Sequence, residues 1–138
     1  MSNPVVERDQ ILRLMDMQVL ELRPGYAKIS MPLSDKVKNG MGFAHGGTIF
    51  SLADIAFGAA ANEGCEQFVV TLSTSIEYLR PGSQGPLVAE AKVIRGGKRI
   101  QNYEVDVFDG TGALIARTMT SGYTTTSQLY PNGHGNNA

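Results

Sequence analysis

The chain has 138 residues, 42% of them hydrophobic, and 12 Lys and Arg against 13 Asp and Glu give a net charge of −1. That is one domain with enough apolar material for a core, and the dispersed charge leaves no basic footprint for nucleic acid. No apolar run reaches the length of a membrane span, the N-terminus lacks a signal-peptide layout, and the lone Cys65 excludes an internal disulfide and fits a reducing, cytoplasmic setting.

In chain order, Asp9–Met17 reads as a short amphipathic helix, with Ile11, Leu12 and Met15 on one face. Met17–Leu22 and Tyr26–Pro32 flank Arg23-Pro24-Gly25, the signature of a hairpin turn. A loop, Leu33–Ala44, carries Asn39-Gly40 and leads through His45-Gly46-Gly47 into an almost wholly apolar run, Thr48–Asn62. That run is too long for a typical strand and suits a helix covered on most sides, ended near Gly64. Four segments rich in Val, Ile, Thr and Tyr follow: Gln67–Leu79, Leu87–Arg95, Arg99–Asp109 and Ala113–Thr125. The short loops between them favour antiparallel neighbours. The expected architecture is α+β, a five- to six-stranded antiparallel sheet wrapped around one long helix. A single domain is expected over residues 1–126, with Ser127–Ala138 a disordered tail that has nothing to pack.

One residue does not fit a purely structural reading. Asp54 lies in the middle of the apolar helix, where Asp is a poor helix former and an unpaired buried charge is costly. It is either a reagent or a polar anchor bonded to nearby backbone.

The order of hairpin, Asn-Gly loop, His-Gly-Gly, apolar helix with Leu52-Ala53-Asp54, and then Ser75-Ile-Glu-Tyr-Leu-Arg-Pro-Gly82 closely resembles the hotdog-fold acyl-CoA thioesterases of the phenylacetic-acid-degradation (PaaI-like) family. The resemblance runs from about Asp9 to Thr125. It implies a hotdog fold, hydrolysis of acyl-CoA to free acid and CoA without a cofactor, and a site between two subunits of a homodimer that pairs into a homotetramer. On matching positions it implies Asp54 as nucleophile or general base, the Gly46 amide as the donor polarising the thioester carbonyl, and Asn39 as a positioner of substrate or water.

The residues support these roles independently. A backbone N–H at a helix N-terminus has no intrahelical partner and points outward along the dipole, as an oxyanion requires. Asp54 in apolar surroundings loses solvation, which makes its carboxylate a better base or nucleophile. Gly46 and Asp54 are eight residues apart, roughly 12 Å along one helix, whereas a bound carbonyl needs its attacker within about 3–3.5 Å. Two antiparallel helices, one from each subunit, solve this and give two equivalent sites.

Other candidates have two readings each. His45 is a catalytic histidine or a helix cap, Asn39-Gly40 a positioner or a plain turn, and Gly46-Gly47 a close approach for substrate or mere packing. Arg95, Lys98 and Arg99 around Gly96-Gly97 form a CoA phosphate patch or a solvated basic turn, and Arg80 is a second cation of the same kind. The acyl pocket is expected from Met41, Phe43, Phe50 and Phe57, with Ser51, Thr71 or Ser73 tuning it. Cys65 reads as a bystander, and no His, Cys and carboxylate cluster offers metal-ligand spacing. A hotdog hydratase would carry Asp-x-Asn-Pro-x-His, which is absent; a non-catalytic acyl-CoA or lipid-binding protein is the rival from another class.

Overall fold

The structure, a computed structural model, describes residues 3–129. Two short helices, α1 (Pro4–Glu7) and α2 (Gln10–Leu14), lead into the hairpin of β1 (Gln18–Arg23) and β2 (Tyr26–Met31). A single 3-10 turn, Asp35–Val37, precedes the long helix α3 (Gly46–Asn62). Then come β3 (Gln67–Tyr78), β4 (Leu87–Gly96), β5 (Ile100–Phe108) and β6 (Leu114–Gln128). All six strands join one antiparallel sheet in the order β1-β2-β4-β5-β6-β3. The sheet curls so that α3 touches every strand. This is the expected α+β architecture, with six strands.

Small residues let the helix sit that deep. Ala53, Ala56, Ala59 and Ala60 of α3 are buried, and Ala27, Ala89, Ala91 and Ala116 face them from the sheet. At Gly122 of β6 a Cβ would lie 2.7 Å from Phe57 Cζ, so the Phe57 ring occupies the space that a side chain there would fill. Phe57 also packs edge-on against Tyr103, centroids 5.1 Å apart. The outer face is polar in its middle. One register row crosses all six strands as Glu21, Lys28, Glu90, Asp106, Arg117 and Glu77. Further along, the row Ile100, Tyr123 and Val70 is apolar and exposed.

The boundaries differ from the sequence reading where side chains override pattern. The expected helix over Asp9–Met17 is only the five-residue α2, with the separate α1 ahead of it: Asp9 Oδ1 caps α2 by accepting from the Leu12 N–H, and Asp16 turns left-handed at φ 55° to end it. Ile11 points out, 42% exposed, while Leu12 and Met15 pack on the core. α3 begins two residues early because His45 caps it. The strand expected to stop at Thr125 runs to Gln128, and Leu129 is buried and donates its N–H to Glu66 O, so residues 127–129 do find packing. The rest of the expected tail, 130–138, lies outside the described residues.

Asn62, the last residue of α3, fastens the helix to the sheet. Its Nδ2 donates to Gly58 O and Val69 O, and its Oδ1 accepts from Val69 N–H, all at 2.9–3.0 Å and nearly without solvent. Replacing it strands two buried backbone groups of Val69. Asn62→Ala is therefore expected to lower unfolding free energy by about 1–3 kcal/mol, seen as a reduced urea midpoint at unchanged slope; an unaltered midpoint would refute the anchor.

Candidate active site

The loop before α3 is built on Asn39. Its Oδ1 accepts from the N–H groups of Met41 and Phe43, its own N–H donates to Phe43 O, and Gly42 takes the left-handed φ of 87° that the turn needs. The plain-turn reading of Asn39-Gly40 is thus satisfied through Oδ1, which leaves Nδ2 as the donor toward the cleft that Asn39 lines. His45 caps the helix: its Nδ1 accepts from Gly47 N–H at 3.0 Å, and its backbone oxygen accepts from Thr48 and Ile49. The first helical N–H groups are therefore occupied except one. Among the described residues nothing accepts from Gly46 N–H.

Tyr78 at the end of β3 sits against the helix start, its hydroxyl donating to Gly46 O at 2.8 Å. Burial pushes the Tyr78 phenol up from its ordinary value. Asn39, Met41, Phe43, Gly46, Tyr78 and Arg80 line a cleft of about 420 Å³.

Asp54 lies two turns down the same helix in different surroundings. Thr71 Oγ1 donates to its Oδ1 at 3.0 Å and fixes the carboxylate. The expectation that apolar surroundings strip solvation from Asp54 is met only in part: in one chain it is half-buried. Together with Gly47, Phe50 and Ser51 it forms a stripe at i, i+3, i+4 and i+7 that the chain's own sheet leaves partly open. Asp54 shares neither of its neighbouring hollows with Gly46.

The remaining candidates separate. Met41, Phe43 and Arg80 belong to the Gly46 cleft, but Phe50 belongs to a hollow of about 250 Å³ beside Asp54, with Ser51 and Asp9. Ser73 is misassigned by the sequence. A register shift between Thr71 and Ser73 carries Thr71 to the helix face, opposite Gly122, and Ser73 to the outer face, opposite Ser121, where it cannot tune a pocket on the helix side. Arg95, Lys98 and Arg99 are all exposed, at the Val70 end of the sheet; Gly97 is obligatory there, since a Cβ would meet Ile100 O at 2.2 Å. Cys65 is held by burial, which raises its thiol pKa and keeps it protonated. No group of three or more His, Cys, Asp or Glu able to hold a metal occurs among the described residues, and none of their helices is long and apolar enough to cross a membrane. Sequence reading missed Tyr78 and Asp9. The alternation of Ile76 and Tyr78 against Ser75 and Glu77 could have marked Tyr78 as inward-facing.

The Thioesterase superfamily pattern matches residues 41–116. The acyl-coenzyme A thioesterase PaaI of Escherichia coli K12 is 32% identical over 116 residues, which cover 83% of this chain and 82% of that protein. The solved structure of E. coli PaaI, from the phenylacetic acid degradation operon, superposes with a TM-score of 0.84 at 27% identity, covering 89% of each chain. A Streptococcus mutans UA159 protein solved bound to acetyl CoA superposes at 0.72 with 27% identity, over 79% of this chain and 88% of that one. The chain belongs to the thioesterase superfamily and is a PaaI-like hotdog protein.

The cap assignment of His45 separates from catalysis by substitution. His45→Ala should destabilise by about 1 kcal/mol, and His45→Asn, whose side chain also caps, by much less. Thermal unfolding of both checks this; equal losses would remove the cap from the account.

Proposed function

We propose that the protein hydrolyses acyl-CoA thioesters at two equivalent sites, each combining Gly46 of one subunit with Asp54 of the other. One observation carries the reading. The same rigid helix holds a free N–H at its start and a Thr71-oriented carboxylate two turns later, in separate hollows. Antiparallel pairing of two α3 helices along the open Gly47–Asp54 stripe brings each donor to the other's carboxylate and supplies the desolvation that one chain lacks. The exposed edge of β3, with Val70, Leu72, Tyr78 and Leu79 uncovered, supports the same pairing. Pairing of dimers into a tetramer would cover the outer apolar row of Ile100, Tyr123 and Val70.

The thioester carbonyl accepts a hydrogen bond from Gly46 N–H, where the helix dipole also stabilises developing negative charge. Asp54 then acts in one of two ways. As a base it takes a proton from water, whose oxygen attacks the carbonyl carbon; the C–S bond breaks, and the proton returns to the departing CoA thiolate. As a nucleophile it attacks directly, expels the thiolate and forms a mixed anhydride that water cleaves. Single-turnover reaction in ¹⁸O water separates them, since only the anhydride route leaves label in the enzyme carboxylate. Asn39 Nδ2 positions substrate or water, and Arg95, Lys98 and Arg99 receive the CoA phosphates.

Asp54→Asn is expected to reduce kcat by about 10²–10⁴-fold with binding retained. Binding without any wild-type turnover over a panel of thioesters would instead favour a carrier protein. Gly46 permits a cleaner test. It is the first helical residue, and His45 before it is extended at ψ 137°, so Gly46→Pro removes the N–H while suiting the helix start. A loss of about 10²–10³-fold in kcat is expected, with Gly46→Ala as control for the added Cβ, which lies 3.3 Å from the Tyr78 ring. Mixing Asp54→Asn with Gly46→Pro subunits should return about a quarter of wild-type activity, because half the dimers are hybrids with one intact site. Hybrids that form and stay inactive would sink the shared site.

The phosphate role of the basic turn predicts a selective effect. Alanine at Arg95, Lys98 and Arg99 together should raise KM for acyl-CoA at least about tenfold and leave a thioester of pantetheine, which lacks the nucleotide, unaffected. Equal changes for both substrates would show the turn to be merely solvated.

A further inference from the structure

We infer that the acyl group occupies a cavity behind Asp54 roofed by α1, and that Gly58 sets the size of acyl group accepted. This rests on the hydrolase reading above. The sequence expectation drew the acyl pocket from Met41, Phe43, Phe50 and Phe57, and of these only Phe57 lines this cavity.

The cavity holds about 290 Å³ and lies between α1, α3 and the start of β3. Val5 and Val6 of α1, Ile55, Phe57 and Gly58 of α3, and Phe68 of β3 make an apolar lining. Asp54 and Thr71, hydrogen-bonded to each other, stand at one end, and Asn62 lines the other. Asp54, Gly58 and Asn62 follow one another at i, i+4 and i+8, so the cavity runs along one side of the helix for roughly 12 Å. An extended chain advances about 3.6 Å per three bonds, so this length takes a straight chain of up to about ten atoms. A thioester carbon held at Asp54 directs its substituent into apolar space.

Gly58 is the residue that folding does not explain. Glycine inside a helix is destabilising relative to alanine. Its φ is not left-handed, and an added Cβ would meet only Val5 Cγ1, at 3.7 Å, an ordinary contact. Packing would accept a side chain there; the open cavity would not. α1 is equally specific in its placement. Asn3 Oδ1 accepts from Val5 and Val6 N–H, and its Nδ2 donates to Ala59 O at 3.2 Å and to Glu63 Oε1 at 3.0 Å. Asn3 is 6% exposed, so one buried side chain clamps the roof onto the helix that carries Asp54. Asp9 lines the same cavity, and two carboxylates there favour neutral acyl groups over those ending in an acid.

The test is a chain-length profile. For Gly58→Leu, the hexanoyl-to-acetyl ratio of kcat/KM should fall at least about tenfold, the scale on which a filled apolar pocket discriminates. Gly58→Ala, which fits without rearrangement, should shift the ratio in the same direction by a smaller factor, and Val6→Ala should raise it for decanoyl. The same ratios read as Kd by calorimetry with S-alkyl-CoA thioethers, which cannot be hydrolysed, report on the cavity even if turnover is absent. The pocket and hydrolase readings can thus fail separately. Ratios unchanged within about twofold in folded Gly58→Ala, or a chain-length preference that follows Phe43→Ala in the other cleft, would overturn the assignment.

Discussion

A helix cannot bend back on itself, and the whole arrangement follows from that stiffness. The eight-residue step from Gly46 to Asp54 holds an amide donor and a carboxylate roughly 12 Å apart, several times the reach of a reacting pair. No loop movement within one chain closes that gap, because the sheet grips α3 along its length. In the proposed dimer, complementary halves of two chains would close it without any movement. The stiffness that keeps the groups apart in a monomer is what would align them in a dimer.

The helix is able to serve this way because of its small residues. Alanines on both sides of the helix–sheet contact bring backbone close to backbone, and Phe57 over Gly122 fills the one gap that remains. Burial then claims much of α3 and leaves two openings, the stripe from Gly47 to Asp54 and the flank of Ile55 and Gly58. Those two openings are where chemistry and acyl group are proposed to sit. The polar residues around them are held locally: Asn39 by its own loop, His45 by the helix start, Asp54 by Thr71.

Much of this was legible in the amino-acid order. Strand limits fell within a few residues of their true positions because Pro24-Gly25, Gly96-Gly97 and Gly110-Gly112 punctuate them. The oddity of Asp54 and its eight-residue spacing from Gly46, on which the proposed shared site rests, were both readable there. What failed was context that a linear pattern does not carry. The parity of Ser73 was lost to a one-residue irregularity at Leu72. α1 was invisible as a cavity wall because four residues give no periodicity. The desolvation expected of Asp54 was not fully met because its own chain leaves it half-buried.

Helix and strand are tied together at both ends of the site, Gly46 to Tyr78 and Asp54 to Thr71. In a dimer that pairs β3 with its copy, these two ties centre the strand pairing near Thr74 and Ser75. A slip of two residues along that seam would carry the helices about 6.6 Å past each other, beyond the reach of donor and carboxylate. Misassembled dimers would fold and associate, yet be silent. In such a dimer correct registry of the seam would be a condition for turnover, and the sheet edge would act as the alignment gauge of the enzyme.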